Sequence, residues 1–371
     1  MTRTSTTSIE ARDSLLAPAF VDPHVHLRTP GREDEETIAS GTAAAAAGGY
    51  CAILAMPNTD PVIDSAATLG ALTDVAKREA EIPVGFLAAI TRGQNGEQLT
   101  EMGELADAGA VAFSDDGVPV SSAGMMRRAL QYASLTGRPL ALHCEEPSLS
   151  RGGHVHEGAV AAEMGFASYP SVAESVMVER DLALAAYEEQ PLHHAAPVGR
   201  RIGGRATPGT RRRRAGERRG DTAPPRAHRR RGAVARPERE DEPAAARGAG
   251  PRRALAALRD GTIEAIATDH APHARHEKDA PFEAAPFGVT GLETAFAVLY
   301  NELVEPGLLP LATLLERLSA GPARIFGLER PRVARGVTAN LVLLDTAGVT
   351  EVTEDGFRSR SANSVAPRPY A

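Results

Sequence analysis

Short apolar runs alternate with amphipathic stretches along most of this chain. Ala17–Val21, Ala52–Met56, Val84–Ile90, Ala110–Phe113, Pro139–His143 and Ile263–Thr268 are almost continuously apolar. Such runs are the pattern of strands covered on both faces. Between them, Glu36–Ala47, Ala66–Ala80, Gln98–Ala106, Ser122–Ser134, Ser171–Glu188 and Gly291–Val304 have helical patterning. Strand and helix alternating at this spacing predict a parallel α/β fold. Pro310–Leu328 predicts a closing pair of helices, and Ala339–Leu344 a late strand outside the alternation. No tandem repeat is present.

The polar residues collect at one kind of position. His24 with His26, Asn58, Asp115 with Asp116, His143, and Asp269 with His273 each end or follow an apolar strand. In a closed parallel barrel all strand C-termini face the same rim, so these groups would converge there. The fold expected is therefore a TIM-like (β/α)8 barrel.

Composition changes the picture in one place. The 371 residues are 42% apolar with a net charge of −7, enough to bury a large core and too acidic overall for bulk nucleic-acid binding. No apolar run approaches the ~20 residues of a membrane span, and the polar N-terminus lacks a signal-peptide pattern. Two cysteines, Cys51 and Cys144, exclude a disulfide framework and point to a cytoplasmic chain. Both read as small buried apolar residues. Arginine, however, is unevenly spread: 18 of the 39 arginines fall in Pro197–Arg253, which carries a net charge of +12. Val198, Ile202 and Val234 are its only large apolar residues. Such a stretch cannot bury enough apolar surface to offset its ordering entropy.

Four motifs carry the candidate chemistry. Val21-Asp22-Pro23-His24-Val25-His26-Leu27-Arg28 contains His-x-His. Residues i and i+2 of a strand share a face, so two imidazoles can reach one ion at ~2.0–2.1 Å. Ala141-Leu142-His143 puts one further His at a strand end. Ala267-Thr268-Asp269-His270-Ala271-Pro272-His273 supplies a carboxylate and two His. A carboxylate there can bind metal and accept a proton from water, although Asp269 also suits a helix N-cap. Phe113-Ser114-Asp115-Asp116-Gly117 adds carboxylates, or is simply an Asp-Gly turn. Each motif alone has such a structural explanation. Five sites at five strand ends do not.

Taken together, Asp-Pro-His-Val-His-Leu-Arg (22–28), Ala-Met-Pro-Asn-Thr (55–59), Phe-Ser-Asp-Asp-Gly (113–117), Leu-His-Cys-Glu (142–145), Ala-Thr-Asp-His-Ala-Pro-His (267–273) and Pro-Phe-Gly (286–288) resemble class I dihydroorotase. That family belongs to the amidohydrolase superfamily and serves pyrimidine synthesis. The resemblance runs from about residue 16 to 194 and again from about 254 to 364. It implies two Zn2+ ions per subunit. His24, His26 and Asp269 would hold one, Asp116 would bridge, and His143 would hold the other. Arg28, Asn58 and His273 would bind the substrate carboxylate, with His26 beside them. Phe287 and Gly288 would contact the ring through backbone groups, and Asp269 would shuttle the proton. The implied partner is a small-molecule substrate, dihydroorotate or N-carbamoyl-aspartate, with a homodimer or an aspartate transcarbamoylase complex as assemblies. Neither nucleic acid nor membrane is implied. Opening a cyclic amide at neutral pH calls for a metal-activated water, and an anionic substrate calls for a guanidinium. Arg28 could otherwise serve a surface ion pair with Glu33–Glu36, Asn58 a turn, and Phe287 the core.

Where relatives bridge their metals with a carbamylated Lys, this chain has only Lys77 and Lys278, neither in the Asp116 motif. A bridging Asp fits dihydroorotase better than an allantoinase-like or hydantoinase-like enzyme. An inactive dihydroorotase-like partner of aspartate transcarbamoylase is the third reading. Five intact ligand positions argue against it.

The resemblance fails between about residues 194 and 250. A further metal-ligand His, a Pro-His-His-Leu segment and Asn-Pro-Pro-Leu are missing there. Out-of-frame translation accounts for all three. Ala195-Ala196-Pro197-Val198 can be encoded GCA GCA CCT GTC, which one base later reads Gln-His-Leu-Ser. With the same shift, Thr222–Arg226 yields Pro-His-His-Leu and Glu240–Ala245 yields Lys-Met-Asn-Pro-Pro-Leu. The nucleotide sequence decides the matter. On this reading Ala196 stands where a metal-binding His belongs and Glu242 where a substrate Asn belongs. His193 and His194 come too early along the strand to replace it. The chain as it stands is expected to bind zinc poorly, to lack part of its barrel and to be inactive. Residues 1–15 and 331–371 are expected to be remnants of a small β-sandwich flanking a barrel over 16–330.

Overall fold

The computed structural model describes residues 11, 13–194, 233–235, 249–364 and 369–370. Its strands are β1 (Leu15–Pro18), β2 (Phe20–Val25), β3 (Tyr50–Ala55), β4 (Val84–Ala88), β5 (Ala112–Phe113), β6 (Leu140–Leu142), β7 (Val155–His156), β8 (Ser168–Tyr169), β9 (Leu192–His194), β10 (Ala233–Ala235), β11 (Ile263–Ile266), β12 (Leu341–Leu344), β13 (Thr350–Glu351) and β14 (Pro369–Tyr370). A six-stranded parallel sheet has the order β2-β3-β4-β5-β6-β9. β10 pairs in parallel with β11, and a parallel bridge from Val25 to His270 joins β2 to the segment after β11. The strands thus curl towards closure, as the alternation predicts.

The helices expected from the pattern form, with shifted ends. Ile38–Ala47 starts at a capping box of Thr37 and Ser40. Ser65 caps Ala66–Glu79 and Ser122 caps Ala123–Thr136 through their hydroxyls. The predicted closing pair is Leu311–Leu318 and Ala320–Ile325. Gly291–Val304 is a shorter helix, Ala295–Leu299, running into a π-turn over Tyr300–Val304.

The barrel interior is packed with small and medium side chains. Leu54, Met56, Leu87, Ala112, Ala141, Ala265 and Ala267 meet Ile325 and Phe326, which plug one end. A larger cluster, including Phe20, Ile53, Leu69, Met102, Phe113, Leu130 and Leu314, lies between strands and helices. Polar chemistry is left to the other end.

Of the Arg-rich stretch, Ala233–Ala235 pairs with β11 and Ala249–Asp260 forms a helix. Residues 195–232 and 236–248, which include Ala196 and Glu242 and on which the expected loss of part of the barrel falls, lie outside the described residues. One expectation needs correction: the run read as one strand over Ala17–Val21 is two. β1 pairs antiparallel with β12, and β2 begins the barrel. β2 continues through Asp22 and His24 because both are buried despite their polarity.

Candidate active site and metal centre

The His-x-His pair lies at the end of β2. His24 is in the strand and His26 follows it by one residue. Buried Asp22 fixes this strand end. It accepts from the His24 amide at 3.1 Å and from the Thr268 hydroxyl at 2.5 Å. Burial pushes its pKa up to about 6. Asp22 thereby ties the His pair to the segment carrying Asp269.

The two imidazoles converge on two carboxylates. Nε2 of His24 is 3.4 Å from Asp116 Oδ2 and 3.2 Å from Asp269 Oδ1. Nε2 of His26 is 3.5 Å and 3.1 Å from the same two oxygens. Two donors each ~2.0–2.1 Å from a tetrahedral ion are about 3.3 Å apart, so these spacings fit ligands around a shared cation. Ligand atoms of His24, His26 and Asp269 lie within 4.8 Å of one another. Asp269 is held at φ 49°, in the left-handed region that few non-glycine residues adopt.

Outer contacts orient these groups. Nδ1 of His26 is 3.0 Å from Asn58 Oδ1. A proton donated there leaves Nε2 its lone pair, the arrangement a metal ligand needs. Burial lowers the His26 pKa, which also favours the neutral ring. Asn58 was assigned to the substrate from sequence, and the structure places its oxygen on His26. Asp115 turns away, accepting from Ile90 N at 2.7 Å, Thr91 N at 3.1 Å and the Thr91 hydroxyl at 2.5 Å. Only Asp116 of that pair faces the centre. His143 stands further off, its Nδ1 3.8 Å from Asp116 Oδ1 and its Nε2 3.3 Å from Glu145.

Arg28 and His273 sit side by side next to this cluster. Arg28 Nε is 2.8 Å from Glu35 Oε2 and donates to the Pro272 carbonyl at 3.1 Å. Its NH2 is 3.5 Å from His273 Nε2, and Glu35 Oε1 is 3.4 Å from His273 Nδ1. Glu35 is only 3% exposed, so the ion pair considered a surface feature of Arg28 is an interior brace. His273 Nε2 donates to the Phe287 carbonyl at 2.6 Å. The Phe287 residue is 54% exposed, not core. Gly288 has φ 116°, and a Cβ there would fall 2.6 Å from that of Ala271, so glycine is required. Its carbonyl accepts from Lys278 Nζ at 3.1 Å and Asn363 Nδ2 at 2.9 Å.

Sequence reading missed several supports. Glu36, fully buried, is 3.1 Å from His270 Nε2 and accepts from Ser359 Oγ at 2.5 Å. It links the segment after β2 to that after β11. Lys278 and Asn363 hold the 286–288 turn. One signal was available for Glu35 and Glu36: four successive acids directly before an apolar helix are too many for a solvated face alone. Lys278 and Asn363 carried none.

A second buried group lies apart. β9 pairs with β6 so that Ala141 faces His193 and Leu142 faces His194. The His193 ring packs on Phe326, centroids 5.2 Å apart, inside the barrel. His194 points to the opposite side, where Cys144 and Asp181 gather with it. Cys144 is buried as expected, but its thiol donates to Asp181 at 3.8 Å. Cys51 is only half-buried and donates to the Phe20 carbonyl at 3.3 Å. Burial lowers the His194 pKa to about 4. Between pH 4 and 6.5 the unfolded chain then binds the extra proton, so stability rises with pH across that window and is lost as pH falls through it. The full effect is about 3 kcal/mol. In chelator-treated protein, His194→Gln is expected to flatten the melting-temperature profile between pH 4 and 6.5. An unchanged slope would remove His194 as its source.

Comparisons with known proteins bear on this geometry. The sequence model of the family described as Dihydro-orotase-like matches residues 13–190. A dihydroorotase from Anaeromyxobacter dehalogenans is 42% identical over 96% of this chain and 83% of its own length. The chain belongs to the dihydroorotase family. A dihydroorotase from Pelotomaculum thermopropionicum is 40% identical over the same shares of the two chains. Among solved structures, an L-hydantoinase (dihydropyrimidinase) from Arthrobacter aurescens superposes with a TM-score of 0.78. It is 20% identical, covering 98% of this chain and 85% of that one. A D-hydantoinase (dihydropyrimidinase) from Thermus sp. gives 0.72 at 19% identity, over 100% of this chain and 86% of the other. These likenesses show that the chain has the fold of those hydantoinases.

Proposed function

We propose that this chain, with residues 194–250 restored to frame, is a zinc-dependent dihydroorotase that interconverts dihydroorotate and N-carbamoyl-aspartate for pyrimidine synthesis in the cytoplasm. The observation that carries the reading is the meeting of His24, His26, Asp116 and Asp269 beside an Arg28–His273 arm. It occurs in a chain 42% identical to a named dihydroorotase. Imidazole nitrogens and carboxylate oxygens at these spacings suit zinc. His24, His26 and Asp269 would hold one ion, with Asp116 reaching towards a second near His143. When bound, such cations supply an activated water at neutral pH and a Lewis acid for the carbonyl.

The chain's own residues do the rest. Ring opening adds water across the amide C–N bond: carbon takes the oxygen and nitrogen takes a proton. Asp269, at the centre of the cluster, accepts the proton from the attacking water and returns it to the ring nitrogen. Arg28, braced along its Nε edge by Glu35, presents its remaining donors to the substrate carboxylate. His273 stands beside it and, through Phe287, sets the turn against the ring. Asn58 orients His26.

Hydantoinase-like barrels favour a second reading, hydrolysis of cyclic amides that lack the carboxylate. Lys77 is paired with Asp74 on an outer helix and Lys278 holds the 286–288 turn, so neither stands at Asp116. Substrate profiling of the frame-restored chain with Arg28→Ala separates the two readings. Loss of a charge-assisted contact, ~1.5–3 kcal/mol, is expected to raise KM for dihydroorotate about 10- to 100-fold. Turnover of uncharged dihydrouracil or hydantoin should not change. An unaltered KM for dihydroorotate would overturn the assignment.

A further inference from the structure

We propose that Cys144, Asp181 and His194 form a separate, thiolate-containing site for a zinc-class divalent cation on the outer side of the barrel wall. It stands back to back with the His24–Asp269 cluster and shares no residue with it. Cys144 directly follows His143, and His194 lies on β9 beside the end of β6. Asp181 comes from the helix Val172–Tyr187, which covers that face.

Four observations support the site. One sulfur, one oxygen and one nitrogen donor lie within 4.8 Å of one another, all on buried residues. The Sγ–Oδ2 distance is 3.8 Å, close to the ~3.5 Å edge of a tetrahedron with zinc at ~2.3 Å from sulfur and ~2.0 Å from oxygen. The other Asp181 oxygen accepts from Arg180 Nε at 2.7 Å. Arg180 is itself fixed by donating to the carbonyls of Val120 and Ser121. Outer partners of this kind orient a ligating carboxylate. Finally, Nε2 of His194 is buried and has no hydrogen-bond partner among the described residues.

The last observation separates this reading from a plain thiol–carboxylate hydrogen bond. Such a bond satisfies Cys144 and Asp181 but leaves the imidazole nitrogen unpaired in the interior, where unpaired polar atoms are rare. A cation taken up by that nitrogen would satisfy all three. The neutral ring has a lone pair to give. Thiolate and carboxylate together balance a double positive charge, and water can complete four-coordination. A mixed sulfur, nitrogen and oxygen set excludes calcium and magnesium, which take oxygen ligands, and favours zinc or cobalt. The thiol proton leaves as the ion enters. Bound there, the ion would clamp the ends of β6 and β9 to the covering helix.

Cobalt titration of the chelator-stripped chain tests this directly. The His24–Asp269 cluster contains no sulfur, so a thiolate-to-cobalt absorption in the near ultraviolet reports a cysteine site alone. The expected result is a band saturating at one equivalent, kept in Cys51→Ser and in His26→Ala and abolished in Cys144→Ser. His194→Gln is expected to weaken cobalt affinity tenfold or more, with circular dichroism confirming that it folds. No thiolate band at saturation, a band surviving Cys144→Ser, or unchanged affinity in His194→Gln would overturn the proposal. Because His26→Ala leaves this band in place, failure here is distinct from failure of the catalytic reading.

Discussion

Translating residues 194–250 one base later is expected to raise dihydroorotate turnover about 100-fold or more over the chain as it stands. Removing even an outer partner of a metal ligand costs ~10- to 100-fold in affinity or activity. A missing ligand should cost at least as much. The first half of the centre is assembled: His24, His26 and Asp269 group tightly. The second half is sparse. His143 stands 3.8 Å from Asp116 with Glu145 on its other nitrogen. The position expected to complete that half is occupied by Ala196 in this chain, and Glu242 stands where a substrate Asn is expected. A one-base shift restores both through codons the amino acids permit. Sequencing the coding DNA across codons 190–255 comes first, followed by kcat/KM for both chains. Equal rates would remove the frame argument.

In the frame-restored chain, Asp269→Asn is expected to lower kcat by about 100- to 10,000-fold with little change in KM. Positioned general acid–base groups contribute on this scale. The amide keeps the shape and the left-handed backbone that Asp269 adopts at φ 49°, a conformation in which Asn is also enriched, so the fold should survive. What would be lost is the proposed proton acceptor and metal ligand, an anionic oxygen 3.1–3.2 Å from two imidazoles. Steady-state kinetics alongside a thermal melt check this. A loss under tenfold in a normally melting variant would assign the proton transfer elsewhere.

Much of this architecture could be read in the residues because buried parallel strands show as apolar runs that stop at polar groups. Ala52–Met56 became β3 over Tyr50–Ala55, and Ile263–Thr268 became β11 over Ile263–Ile266. The reading slipped where burial and polarity part company. Asp22 and His24 interrupt an apolar run yet lie inside β2, since Thr268 and the strand-end amides satisfy Asp22. The strand Ala233–Ala235 was invisible beneath its arginine-rich surroundings. Within the site, residue types and strand ends were legible but pairings were not. Glu35 reaches His273, and Glu36 reaches His270 and Ser359, across more than 200 residues. No local pattern encodes such meetings. Cys144 looked like apolar filler because its partner, Asp181, lies on a separate helix.

The rim of this barrel is proposed to hold divalent cations through His24, His26, Asp116, His143 and Asp269. Elemental analysis of purified, frame-restored protein, with Cys144→Ser in place to silence the outer site, tests it most directly. Two zinc ions per chain are predicted, falling by at least one when His24 and His26 are both replaced by Ala. Protein that folds and melts normally but carries no stoichiometric metal would contradict the account.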